Sequence, residues 1–105
     1  MEVLLNRAGF RLLDAWNFRA FKLTDASGLD QAKVAALVSA IGQLEPDGSH
    51  AWLSRSWIVG LLAPPPSSEW LEKFDRMIAG ARKFGWVDDE RDMIRAHVER
   101  AVAES

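Results

Sequence analysis

The chain contains no cysteine and no tyrosine. Without cysteine there can be no disulfide, no thiolate metal site and no thiol nucleophile. Such a composition fits a reducing compartment. Charge of one sign is not in excess either: 13 Lys and Arg stand against 15 Asp and Glu, a formal net charge of −2. Nucleic-acid binders usually show a basic face, because counterion release from phosphates drives their binding. The balance here gives that class no support. Long apolar runs are also missing. The longest, WIVGLLAPPP at 57–66, is broken by prolines well short of the ~20 residues that span a bilayer. The first residues lack the charged-then-apolar design of a leader. A soluble, cytoplasmic protein is expected. No G-x-G-x-x-G, no P-loop and no G-x-S-x-G elbow occurs, which leaves the common phosphate-binding and hydrolase motifs unrepresented.

What the sequence does contain is aromatic bulk: five tryptophans and five phenylalanines in 105 residues. Such rings dominate cores and interfaces. With 49% hydrophobic and 27% charged residues the balance is globular, and the length favours one domain with its own core.

Helical periodicity prevails along most of the chain, and β-branched residues are scarce. From about Glu2 to Leu23, the residues Leu5, Leu12, Trp16, Ala20 and Leu23 recur at spacings that place them on one helical face, with Arg7, Arg11, Asp14 and Lys22 opposite. The stretch 16–24 also alternates in part, so an extended arm competes with helix there. Ser27, Gly28 and Asp30 make a break with turn and cap chemistry. Val34, Leu37, Val38, Ile41 and Leu44 predict a second helix from about Gln31 to Leu44. Residues 50–63, apolar on nearly every side, predict a buried central helix capped by Ser49. Pro64, Pro65 and Pro66 end it and form a stiff spacer.

A fourth helix opens at Ser67 or Ser68. It has Glu69 in its first turn, a stripe of Trp70, Phe74, Met77, Ile78, Ala81 and Phe84, and Gly85 closing it. A fifth starts at Asp88, turns Ile94, His97, Val98 and Ala101 inward, and frays at its end. The expected fold is therefore all-α: a compact single-domain bundle of four to five helices around a buried central helix.

Residues 82–100 raise the question of a DNA-binding helix-turn-helix. Its second helix would lead with Asp88, Asp89, Glu90 and Asp92, and those carboxylates would meet phosphate at close range. A corner of a helical bundle is the expectation instead. The chemistry-bearing residues are few. His97 is expected on an inward stripe as a hydrogen-bonded core histidine. His50 and Asp47 share a turn and make too few ligands for a metal site, which wants three or four. Asp47, Ser49 and His50 lie too close in sequence to act as a catalytic triad. Arg55 emerges from an apolar surface, where it can reach water, pair with an internal acid, stack on Trp52 or hold a ligand carboxylate. Phe18 falls on the charged face of the first helix, with Phe10 and Phe21 flanking it, which marks a contact patch.

Phe18, Arg55, Trp52 and His97 are thus the candidate binding residues. The expected function is a non-catalytic protein-interaction module: a small helical adaptor, inhibitor or accessory subunit. Its partner would be another protein or a second copy of itself, with no cofactor, metal or membrane. Two alternatives remain open, a nucleic-acid-binding regulator and a small ligand-binding or enzymatic bundle around Arg55 and His97.

Overall fold

The computed structural model describes residues 1–101, and it overturns the all-α expectation. The described residues form a seven-stranded mixed sheet with three helices. The strands are β1 (Glu2–Asn6), β2 (Gly9–Leu13), β3 (Lys22–Asp25), β4 (Gly42–Leu44), β5 (His50–Ser54), β6 (Val87–Asp88) and β7 (Met93–Arg100). The helices are α1 (Gln31–Val38), α2 (Arg55–Gly60) and α3 (Ser68–Arg82). The sheet runs β2-β1-β3-β7-β5-β4, with β6 paired to β7. β1 and β7 lie parallel to β3, and the other pairings are antiparallel.

The first expected helix is a hairpin. Asn6 Oδ1 accepts the Ala8 N–H at 2.8 Å, and Gly9 takes a positive φ of 125°, a conformation open to residues without a Cβ. Leu5 pairs with Phe10 and Val3 with Leu12, so these residues share the inner face at period two. Leu5 and Leu12 are seven apart, a spacing that suits a helix as well as two strands joined by a tight turn. Nothing within the segment distinguishes the two. Residues 14–21 are irregular, and β3 follows. The α-amino group of Met1 donates to the carbonyls of Asn17 and Ala20, which ties this loop to the start of β1.

The second expected helix is half right. Asp30 caps α1, its side chain accepting the Lys33 N–H, but the helix ends at Val38 and the chain re-enters the sheet as β4. Gly42 makes this possible. A Cβ there would lie 1.7 Å from the Trp52 carbonyl oxygen, so only glycine lets β4 approach β5. The buried central helix at 50–63 is likewise corrected. Its first five residues are β5, with Ala51 and Leu53 fully buried. Ser54, not Ser49, caps the short α2 by accepting the Trp57 N–H.

The fourth helix stands as expected. Ser67 caps α3, Glu69 sits in its first turn, and Trp70, Phe74 and Ile78 are buried. Glu69 pairs with Lys73 and Glu72 with Arg76. Phe84, expected on the core stripe, lies past the helix end and is 79% exposed. The fifth helix is instead β6, a turn and β7. Ile94, Ala96 and Val98 point inward, whereas His97 and Ala101 are exposed. The acidic cluster forms the turn: Asp88 accepts the Arg91 N–H, and Asp92 adopts a φ of 59°. That answers the question of a helix-turn-helix, since residues 87–100 are a β-hairpin. The expected fraying of the last residues falls outside the described residues.

One hydrophobic cluster unites the inner sheet face with the helices. It contains Val3, Leu5, Leu23, Ala51, Leu53, Ile94, Ala96 and Val98 from strands, and Val34, Val38, Ile58, Trp70, Phe74 and Ile78 from helices. Trp70 and Phe74 stack with centroids 4.9 Å apart, and the Trp70 indole donates to the Ala15 carbonyl at 2.8 Å. No buried side-chain nitrogen or oxygen lacks a partner among the described residues.

Two stability measurements test this packing. Phe74→Ala should lower the unfolding free energy by about 3–5 kcal/mol, the usual range for emptying a buried aromatic site. A denaturant midpoint within error of the parent would contradict the packing. Gly42→Ala should also destabilise the fold, since the methyl group meets backbone rather than a movable side chain. The corresponding Gly80→Ala, where a Cβ meets nothing within 4 Å, should be neutral or stabilising.

Candidate functional site

All three helices contribute to the inner-face cluster. The opposite sheet face carries Glu2, Leu4, Lys22, Thr24, His50, Trp52, Arg95, His97 and Glu99 by strand alternation and register. Apart from Thr24 these are half-buried or exposed, so this face is open among the described residues.

Its centre is a group of rings where β5 and β7 meet. His50 lies directly opposite His97, and Trp52 opposite Arg95. The two imidazole centroids are 5.5 Å apart. Trp86 joins them because the Arg95 N–H donates to the Trp86 carbonyl at 2.8 Å, carrying the β6–β7 pairing one step further. The Trp86 ring meets His50 edge-on, centroids 5.2 Å apart, and the Arg95 guanidinium lies over it at 4.9 Å.

Arg95 also holds Glu45 in a fork, with Nε donating to Oε2 at 2.7 Å and a terminal nitrogen donating to Oε1 at 2.8 Å. This hydrogen-bonded pairing keeps the Glu45 carboxyl below the usual range and the Arg95 guanidinium above it. Further along the face, Lys22 donates to Glu99 at 2.9 Å. Hydrogen bonding lowers Glu99 and raises Lys22. Lys22 and Arg95 are therefore matched by acids of the same chain, whereas Arg11, which register places on this face opposite Leu4, is exposed.

Asp47, Ser49 and His50 are connected, though not as a hydrolytic triad. Asp47 Oδ1 accepts both the Ser49 N–H at 3.0 Å and the Ser49 hydroxyl at 2.8 Å. These bonds, the backbone one first, hold its carboxyl below the ordinary value. Ser49 Oγ lies 2.9 Å from His50 Nδ1. The serine stands between acid and imidazole, whereas a triad needs the imidazole between acid and serine.

The four expected binding residues separate. Trp52 and His97 are both on the open face, on neighbouring strands. The inward placement expected for His97 fails because β7 alternates at period two, which turns His97 away from Ile94 and Val98. Phe18 belongs elsewhere: its ring packs 5.6 Å from that of Trp70 and joins the margin of the core. Its expected place on a charged helical face disappears with the helix.

Arg55 lies at the start of α2, where Nε donates to Asp92 at 2.8 Å and a terminal nitrogen to Asp89 at 3.3 Å. Asp92 also accepts the Ser56 N–H and hydroxyl, and Asp89 is gripped by Arg82 from α3. A cleft of about 370 Å³ opens beside it, lined by Val59, Leu71, Phe74 and Asp75 among others. The acid that Arg55 holds is nevertheless internal. Trp86, His50 and Arg95 were missed as a group. Only the strand register brings 50, 86 and 95 together, and no local spacing announces it.

Among the described residues no three His, Cys, Asp or Glu converge as metal ligands, and no helix is long and apolar enough to cross a membrane.

The Arg55–Asp92–Asp89 network generates a pH prediction. Hydrogen bonds, from the Ser56 hydroxyl first and then from Arg55, depress the Asp92 carboxyl, and Arg82 depresses Asp89. A carboxylate depressed in the folded state adds stability above its unfolded pKa of about 4, and loses it as pH falls through the lower folded value. The melting temperature should therefore hold near neutrality and drop below about pH 4. Asp92→Asn, which tolerates a positive φ, should lower the neutral plateau and shrink the acid drop. An unchanged pH profile in the variant would show that the network does not couple to folding.

The chain matches no family model, no curated protein and no solved structure, so its function rests on the geometry just described.

Proposed function

We propose that this protein is a non-catalytic interaction module that docks a second copy of itself through the open face of its sheet. One observation carries the reading. The helices gather on one side of the sheet, and the other side presents Trp52, Trp86, His50 and His97 without cover. Rings left half-buried at a surface gain by further burial, and they are enriched at the anchors of interfaces.

The electrostatics favour a like partner. A two-fold interface sets one patch against itself, so a patch of single sign would repel its own copy. Around the ring cluster Arg95 is matched by Glu45 and Lys22 by Glu99, so two copies can meet there, over β3, β7 and β5, without that penalty. That pairing around the ring cluster, with a net charge of −2, disfavours nucleic acid, whose phosphates need cations not already paired.

The cleft beside Arg55 supports a second reading, a small-ligand site between α2 and α3. Its guanidinium would have to leave Asp92 to take a ligand carboxylate, which sets this reading behind the first.

Light scattering on the purified protein at high concentration should give twice the mass of the 11.7 kDa chain. Trp52→Glu should return the mass to that of a single chain. Its melting temperature should remain near that of the separated parent, because substitutions at half-exposed positions cost little. A parent that stays monomeric, or a Trp52→Glu variant that stays dimeric, sinks the proposal.

A further inference from the structure

We infer that His50 and His97 form a two-imidazole chelating site for a borderline divalent transition metal such as Zn²⁺ or Ni²⁺. The inference does not rest on the self-association proposed above, since both ligands come from one chain.

The first argument is placement. The two residues are directly opposed on antiparallel strands, so their Cβ atoms share a face and their rings are neighbours. A metal held at ~2.0–2.1 Å by two ring nitrogens keeps the ring centroids about 5 Å apart over the usual range of nitrogen–metal–nitrogen angles. The observed separation is 5.5 Å. The ring planes stand at 71°, the sheet backbone holds both anchors, and ring rotation would bring one nitrogen of each onto a shared ion.

The second argument is the protonation pattern of His50. The Asp47 carboxylate only accepts, so the Ser49 hydroxyl proton points to Asp47. Ser49 Oγ is then left as the acceptor for Nδ1–H of the neutral His50 ring. That assigns the proton to Nδ1 and the lone pair to Nε2. Ligating histidines commonly use the same device: the non-ligating nitrogen donates to an outer acceptor that fixes tautomer and ring orientation. The Trp86 edge contact braces the same ring from the side. Turn residues that make no triad thus acquire a role as the outer shell of His50.

The third argument is chemical class. Imidazole prefers zinc, nickel, copper or cobalt over magnesium or calcium. With no third protein ligand converging among the described residues, the remaining positions are open to water or to a donor from outside. Such a site captures a metal or presents it; it does not bury one as a structural zinc site does.

Calorimetry on the tag-free chain near neutral pH, with Zn²⁺, Ni²⁺ and Mg²⁺ in separate titrations, tests this. Zn²⁺ and Ni²⁺ should bind and Mg²⁺ should not. Affinity for Zn²⁺ should fall at least tenfold in His50→Gln and in His97→Gln, and several-fold in Ser49→Ala, which keeps both imidazoles. His97 is exposed, so its variant should remain folded. The parent provides a reading that needs no variant: the ring-proton resonances of both histidines should shift together as Zn²⁺ is added. Equal Zn²⁺ affinity in the parent and either histidine variant overturns the inference, as does a titration that leaves either histidine's resonances unmoved. Because His50 and His97 lie on the docking face, the titrations are run below the concentration at which the scattering mass doubles; the heats then report the metal and the mass reports the dimer, so either proposal can fail without the other.

Discussion

The structure depends on β7 having partners along both edges. β5 takes one edge over residues 93–97, while β6 and then β3 share the other. Through β3 the strand reaches the N-terminal hairpin, and through β5 it reaches β4. Remove β7 and the sheet falls into three unconnected parts: β2-β1-β3, β5-β4 and the lone β6. Its alternation also sorts the chemistry. Ile94, Ala96 and Val98 enter the core, while Arg95 and His97 are delivered to the open face. One period-two pattern therefore organises both the packing and the candidate site.

The two faces follow different rules. On the inner face, aliphatic and aromatic side chains close against the helices, and area removed from water is the main stabilising term. On the outer face, side chains are held by specific pairs. Arg95 is positioned twice, by the Glu45 fork and by the Trp86 ring. His50 is positioned by Ser49 and by Trp86. Each constraint costs side-chain entropy. A face ordered in this way before any partner arrives loses less entropy on binding.

The turns carry the residues that a helical reading took for helix starts and charged faces. Asp47 and Ser49 close the turn before β5. Asp88 and Asp92 shape the one between β6 and β7, and Asp92 ties it to α2 through Arg55 and Ser56. Short polar side chains serve helix caps and turns by the same bond, an oxygen accepting a backbone N–H two or three residues on. That is why Asp88 could be read as a cap while acting as a turn residue.

What the sequence by itself determined is local. It specified α3, because Ser67, Glu69, the Trp70–Phe74–Ile78 stripe and two i,i+4 ion pairs all lie within the element they define. It specified the start of α1 through Asp30 and the break at 45–49, and of the break expected at 24–30 only 26–30 holds, since Thr24 and Asp25 belong to β3. Only the tertiary structure decided the strands. β3 finds its partners at 2–5 and 97–100, and a strand's main hydrogen bonds go to segments whose distance along the chain leaves no local trace. Short segments such as 2–13 and 50–54 satisfy period two and period 3.6 alike. A steric fact outside the segment settles the choice at Gly42, where the approach of Trp52 admits no Cβ. The site follows the same division. Trp52 and His97 could be named singly from their chemistry, but their association with His50, Trp86 and Arg95 exists only once the register of β5 on β7 is set.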